Sequence, residues 1–226
     1  MINDLRIGIK LTKYGINATM NWIFGACMLV LGLVMETVEI FGVGVFGISL
    51  SMVLLVCGAA IPAQLAISID VSSLAQSSAY KKKLQTSIPA LLMGIGVLAA
   101  LTLTVVVRGI RVAAGADELI LKNTVYSGII AAMLIVYFAF VYKYYIASIV
   151  VLYVALFGSE IFDRILRGWG SVRRELFEAV PTALCIVITY ALVLAAVGLQ
   201  YLVMSALYKK PIAKSVFGAA LRRSMQ

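Results

Sequence analysis

Across residues 84–107 the chain carries no charged side chain, and five further stretches, 14–35, 40–69, 123–142, 144–159 and 179–208, share that property. Runs of this length constrain the fold more than any motif does. A stretch of about 20 apolar residues, rising about 1.5 Å per residue as a helix, crosses a hydrocarbon layer of about 30 Å. Five of the six runs have 20 residues or more and the fifth in order, 144–159, has 16. Composition points the same way. The chain is 63% hydrophobic and 13% charged, whereas soluble domains are about half apolar and a quarter charged. The reading is an all-α integral membrane protein of one domain, residues 1–226, with too little sequence outside the runs for a separate soluble catalytic head. There is no His among the 226 residues, which removes the commonest metal ligand and general base.

The number of crossings needs a second argument, because 123–159 read as one helix would give five. Lys and Arg hold their loops on the cytoplasmic side, while acidic residues count for little. With six spans and both termini inside, the cytoplasmic segments carry twelve basic residues, Lys81, Lys82, Lys83, Lys143 and Arg222 among them, against Asp4 and Asp70. The opposite side carries seven basic residues, including Arg108, Arg111 and Arg173, against eight acidic ones. Five spans would export the bases from Lys209 to Arg223, so six spans with a tight inner turn at Lys143-Tyr144-Tyr145 are expected. The net charge of +9 is then a matter of orientation, and no nucleic-acid partner is implied.

Three segments outside the spans have patterns of their own. Residues 1–18 read as an interfacial helix with Ile2, Leu5, Ile9 and Ile16 near one face; the alternation Leu5, Ile7, Ile9, Leu11 would also fit a strand. Residues 70–88 form a cytoplasmic loop with Asp70, Ser72 and Ser73 as helix starters and Pro89 opening the next span. Residues 160–180 repeat apolar positions at helical spacing around Gly168 and Gly170, as an amphipathic hairpin at the outer interface.

The remaining features weigh against several chemistries. Gly42-Val43-Gly44-Val45-Phe46-Gly47 has dinucleotide-loop spacing but no βαβ context, so its glycines serve a turn and close packing. No phosphate-binding loop of the G-x-x-x-x-G-K type is present, and ATP with its Mg would have to sit on a partner. Cys27, Cys57 and Cys185 lie inside apolar runs as small core residues without disulfide or metal spacing. No ionisable group falls at mid-span; Glu36, Glu39, Asp70 and Lys143 stand at span ends in solvated or snorkelling positions, which argues against an ion-coupled carrier. Gln64, Thr102, Thr189 and Gln200, with Ser68 and Thr104, are the polar side chains that could line a path or hydrogen-bond between helices. Tyr137, Tyr142, Tyr144, Tyr145 and Tyr153 read as an interface belt. Gly25, Ala26 and Gly32 would permit close approach of a second copy. Neither catalytic nor metal residues are expected, and no cofactor in this chain.

The order of segments, an amphipathic N-terminal helix, six spans with both ends inside, a helical loop after span two, a tight turn after span four and an amphipathic hairpin before span six, resembles the ABC-2-type permease family. Residues Ser77-Ser78-Ala79-Tyr80-Lys81-Lys82-Lys83-Leu84-Gln85-Thr86-Ser87-Ile88-Pro89 are the most family-like stretch. The resemblance implies a multi-pass subunit of a bacterial plasma-membrane exporter. Residues 71–85 would be the coupling helix that docks on a cytosolic nucleotide-binding ATPase through Ser72, Leu74, Ser77, Tyr80, Lys81 and Lys82. A second permease copy or a sister permease would complete the path for an amphipathic peptide, lipid or drug. The alternative from another class is a non-transporting membrane scaffold or assembly subunit.

Overall fold

The computed structural model describes residues 2–13, 17–37, 50–68, 81–141, 144 and 179–209. Every element among them is helical: α1 (Ile2–Thr12), α2 (Ala18–Thr37), α3 (Leu50–Ser68), α4 (Lys81–Gln85), α5 (Ser87–Ala113), α6 (Leu119–Lys122), α7 (Thr124–Val141) and α8 (Thr182–Leu207). Four stretches, Ala18–Thr37, Lys81–Ala113, Leu119–Val141 and Thr182–Leu207, are long and apolar enough to cross a membrane, and Ser51–Leu65 within α3 is a shorter apolar helix. These coincide with five of the six charge-free runs. The remaining run, 144–159, and the hairpin at 160–180 lie outside the described residues, apart from Tyr144 and the first residues before α8.

Helix α3 is central, packing on α1, α2, α4, α5 and α7. Helix α5 joins it to α8, and α8 lies along α7. The residues in contact fix the directions. Gly25 of α2 faces Ile61 of α3 and Gly32 faces Leu55, an antiparallel pair; Gly96 of α5 faces Ala59, again antiparallel to α3. On the other flank Gly128 meets Thr189 and Ala139 clusters with Met204, so α7 and α8 run parallel. The bundle therefore has a lysine end, with Lys81, Lys82 and Lys83 at the start of α4, and an arginine end, with Arg108 and Arg111 late in α5.

In hydrocarbon no hydrophobic force draws helices together, so packing contacts and buried polar groups must do so. Small residues make the closest seams. A Cβ on Gly58 would stand 2.9 Å from the carbonyl oxygen of Gly25 and 2.8 Å from Leu29, which only glycine tolerates. This corrects the expectation for span one: Gly25 and Gly32 are turned inward onto α3, within the chain, and Ala26 alone of the three is exposed. The rest of α2 shows Trp22, Ile23, Phe24, Val30 and Leu31 outward, an apolar exterior that suits lipid.

The N-terminal helix buries Gly8 and Thr12, one turn apart, while Ile9 is exposed. Its buried face meets Ile88 and Leu92 at the lysine end of α5. The helix prevails over the strand alternative because it satisfies its own backbone hydrogen bonds beside an apolar medium, which an isolated strand cannot do.

The loop expected over 70–88 becomes part of a rod sooner than anticipated. Residues 81–85 are α4, Thr86 is a single joint, and α5 starts at Ser87. Pro89, in the first turn of α5, has no N–H to donate to residue 85, and its ring crowds that carbonyl; this separates α4 from α5. The Thr86 hydroxyl donates back to the Lys82 carbonyl at 2.7 Å, and Leu84 and Gln85 are buried. At the other end α5 runs on past Arg108 and Arg111 to Ala113. Gly115, at φ 101°, closes it, with Gly115 N–H donating to Val112 and Ala116 N–H to Arg111, the pattern of a Schellman cap.

Candidate functional site

The polar centre of the described bundle is at the arginine end, where α2, α3 and α5 meet. Glu36 and Arg108 are each only 7% exposed. Arg108 Nε donates to Glu36 Oε1 at 2.6 Å, and Ser51 Oγ donates to Glu36 Oε2 at 2.5 Å. Arg111, one turn further along α5, donates from Nη1 to the Glu36 backbone carbonyl at 3.2 Å. One carboxylate thus ties three helices together. Arg108 Nη1 is buried and has no hydrogen-bond partner among the described residues.

Sequence order alone places Glu36 at a solvated span end and Arg108 among the bases on the same side, and the fold buries both. Helices α2 and α5 run in the same direction on either side of α3, so charges 72 residues apart arrive at one level. Each is then covered by the other and by Ser51, at the first turn of α3. Ion pairs replace solvation when neighbouring helices exclude water, and a pair of this kind is held only if its remaining lone pairs are also satisfied. The signal available beforehand was an acid and a base of opposite sign, each just beyond an apolar run on the same side.

The second polar region follows the α5–α8 seam. Gln200 is buried and its Nε2 lies 3.5 Å from Met93 Sδ, as a weak donor contact; its Oε1 has no partner among the described residues. Thr189 is buried and its hydroxyl returns to the Cys185 carbonyl at 2.7 Å. Thr102 is exposed, bonded to the Leu98 carbonyl at 2.8 Å and paired with the Tyr190 hydroxyl at 2.9 Å. Gln64 is exposed on α3. The four residues expected along a path are thus divided: Thr102 and the neighbour of Thr189 meet across the seam, Gln200 lies further toward the lysine end, and Gln64 is on another helix. Thr104, buried one turn before Arg108, donates to the Ala100 carbonyl at 3.1 Å.

Of the expected coupling residues, Ser72, Leu74, Ser77 and Tyr80 lie outside the described residues. Lys81 is half-buried, and Lys82 and Lys83 are exposed at the start of the rod. The cysteines are free; Cys185 is buried and Cys57 half-buried, but Cys27 is exposed on α2, not in the core. In the tyrosine belt Tyr144 is exposed, and Tyr137 stands edge-on to Phe138 with centroids 5.6 Å apart. Among the described residues no three acidic or Cys side chains converge as metal ligands do. No family model matches the chain, and neither does any curated protein or solved structure.

Proposed function

We propose that this chain is the transmembrane subunit of an ATP-driven exporter of amphipathic substrates, with the lysine end in the cytoplasm. In this reading it has six spans with both termini inside, resides in a bacterial plasma membrane, and pairs with a second permease copy or a sister permease. A cytosolic nucleotide-binding ATPase supplies ATP and Mg.

One observation carries the reading: α4 and α5 form a nearly continuous run, Lys81–Ala113, that begins with exposed lysines and ends in the Glu36–Arg108 tie. A push on α4 is delivered to α5 through buried Leu84 and the Thr86 joint. Helix α5 then carries it along its length to the junction of α2, α3 and α5. Alternating access requires this kind of connection between a cytoplasmic stroke and the opposite end of the bundle. The parallel course of α7 and α8 adds support. The chain leaves α7 at the lysine end and enters α8 at the arginine end, the order that a six-span reading expects of its fourth and sixth spans.

The test is reconstitution with the nucleotide-binding subunit. Substrate-stimulated ATP hydrolysis in proteoliposomes should be lost when Lys81, Lys82 and Lys83 are all changed to Glu, while the folded bundle persists. Absence of any co-purifying ATPase, with the triple variant indistinguishable from wild type in cells, would favour the scaffold reading instead.

A further inference from the structure

We propose that α1 is an anionic-phospholipid site at the lysine end of the bundle: Ile9 on its exposed side meets acyl chains, and Arg6, Lys10 and Lys13 beside it hold headgroup phosphates. This requires only that α5 cross a bilayer and does not depend on export.

Helix α1 has 11 residues and is roughly 16 Å long at about 1.5 Å per residue, too short to cross a hydrocarbon layer of about 30 Å. One side is taken by the bundle, since α1 packs on α3 and α5 with Gly8 and Thr12 buried. The Thr12 hydroxyl donates to the Ile9 carbonyl at 2.7 Å, so that side asks for no polar partner. Arg6, Lys10 and Lys13 follow one another at spacings of four and three residues, which puts them on one face, and all three are exposed. Ile9, three residues after Arg6 and four before Lys13, borders that face and is 51% exposed. Among the described residues none of the three cations forms an ion pair. Asp4 is the one acidic residue in 1–35, against these three bases.

Depth identifies the partner. Gly8 faces Ile88, five residues beyond Lys83, the charge that precedes the apolar run 84–107. At about 1.5 Å per residue this is roughly 8 Å inside that boundary, and interfacial helices settle about 5–10 Å into the border between headgroups and acyl chains. At that level an exposed isoleucine meets acyl chain, while the Arg and Lys side chains beside it extend outward to the headgroups. A docked helix thus holds the bases at the phosphates. Three cations on one exposed face favour an anionic phospholipid over a zwitterionic one, because basic residues at the membrane surface are drawn to acidic lipid.

The experiment uses the full chain in vesicles of mixed phosphatidylglycerol and phosphatidylcholine, with Ile9→Trp as the sole indole after Trp22→Phe and Trp169→Phe. One lipid or the other carries brominated acyl chains, which quench a tryptophan they touch. Quenching by brominated phosphatidylglycerol should exceed that by brominated phosphatidylcholine at equal mole fraction, corresponding to a local preference of about tenfold. The excess should shrink as salt is raised, because exposed charges are screened. Arg6→Gln, Lys10→Gln and Lys13→Gln together should bring the preference to within about twofold of parity. Equal quenching by the two lipids in the protein that keeps all three bases would overturn the proposal, whether or not the triple variant folds. Absence of quenching by either lipid would also overturn it, since protein rather than lipid would then cover Ile9, as would a preference that the triple substitution leaves unchanged.

Discussion

The two ends of α5 carry similar sequence, an apolar run bounded by basic residues, yet they resolve charge in opposite ways. At the lysine end Lys82 and Lys83 are exposed, as long side chains at span ends commonly are. At the arginine end Arg108 is buried and exchanges solvent for Glu36. The difference comes from the neighbours. Helix α4 is short and packs on α3 and α5, burying Leu84 and Gln85 while Lys82 and Lys83 stay exposed, whereas Arg108 stands where α2 and α3 close over α5. A charge near a span end is therefore not solvated by default; its fate depends on whether an opposite charge on an adjacent helix reaches the same depth.

The strongest way to break this contrast is Arg108→Ala, which leaves Glu36 buried without its cation. Removing one partner of a buried pair typically costs about 3–5 kcal/mol, so Tm in detergent should fall sharply, while Lys82→Ala should leave it unchanged. An intact Tm in Arg108→Ala would mean that Glu36 is not held by this pair. Replacing Glu36 and Arg108 together by Leu and Met should recover much of the loss, because neither charge is then stranded.

Ser51→Ala sharpens the same comparison at smaller scale. It removes the second hydrogen bond to the carboxylate, and bonds to charged groups are worth about 1.5–3 kcal/mol. A double-mutant cycle of Ser51→Ala with Arg108→Ala should show strong coupling; strict additivity would argue that the two act separately.

The seams supply a third test. Gly58→Ala forces a Cβ against the Gly25 carbonyl, and overpacking of this kind costs about 1–3 kcal/mol. Gly198→Ala, where nothing lies within 4 Å of the added Cβ, should be neutral or slightly stabilising, since alanine favours the helix. Equal Tm values for the two variants would contradict the close α2–α3 contact.

The smallest effect is expected at Gln200. Changing it to Met removes a buried Oε1 without a partner among the described residues and sacrifices only a weak contact to Met93. Stability should change by less than about 1 kcal/mol or rise, and a loss as large as that of Ser51→Ala would show that Gln200 has a stronger role in the α5–α8 seam.

The sequence by itself determined the helical class and the position of the described spans. Charge-free runs longer than a bilayer is thick leave a chain few choices, because backbone polar groups in hydrocarbon must be satisfied locally. Periodicity also supported a helix at α1, where the contacts of Gly8 and Thr12 prevail over an equally legible alternation. Tertiary structure alone decided which side chains those helices bury together. Glu36 and Arg108 are 72 residues apart, and nothing local to either shows that parallel α2 and α5 bring them to one level against Ser51. Gly25 and Gly32 likewise announce a close approach without naming the partner, and Gly58 makes that partner α3. Spans follow from the free energy of each segment against lipid; sites follow from the relative depth and rotation of several segments, which packing alone fixes.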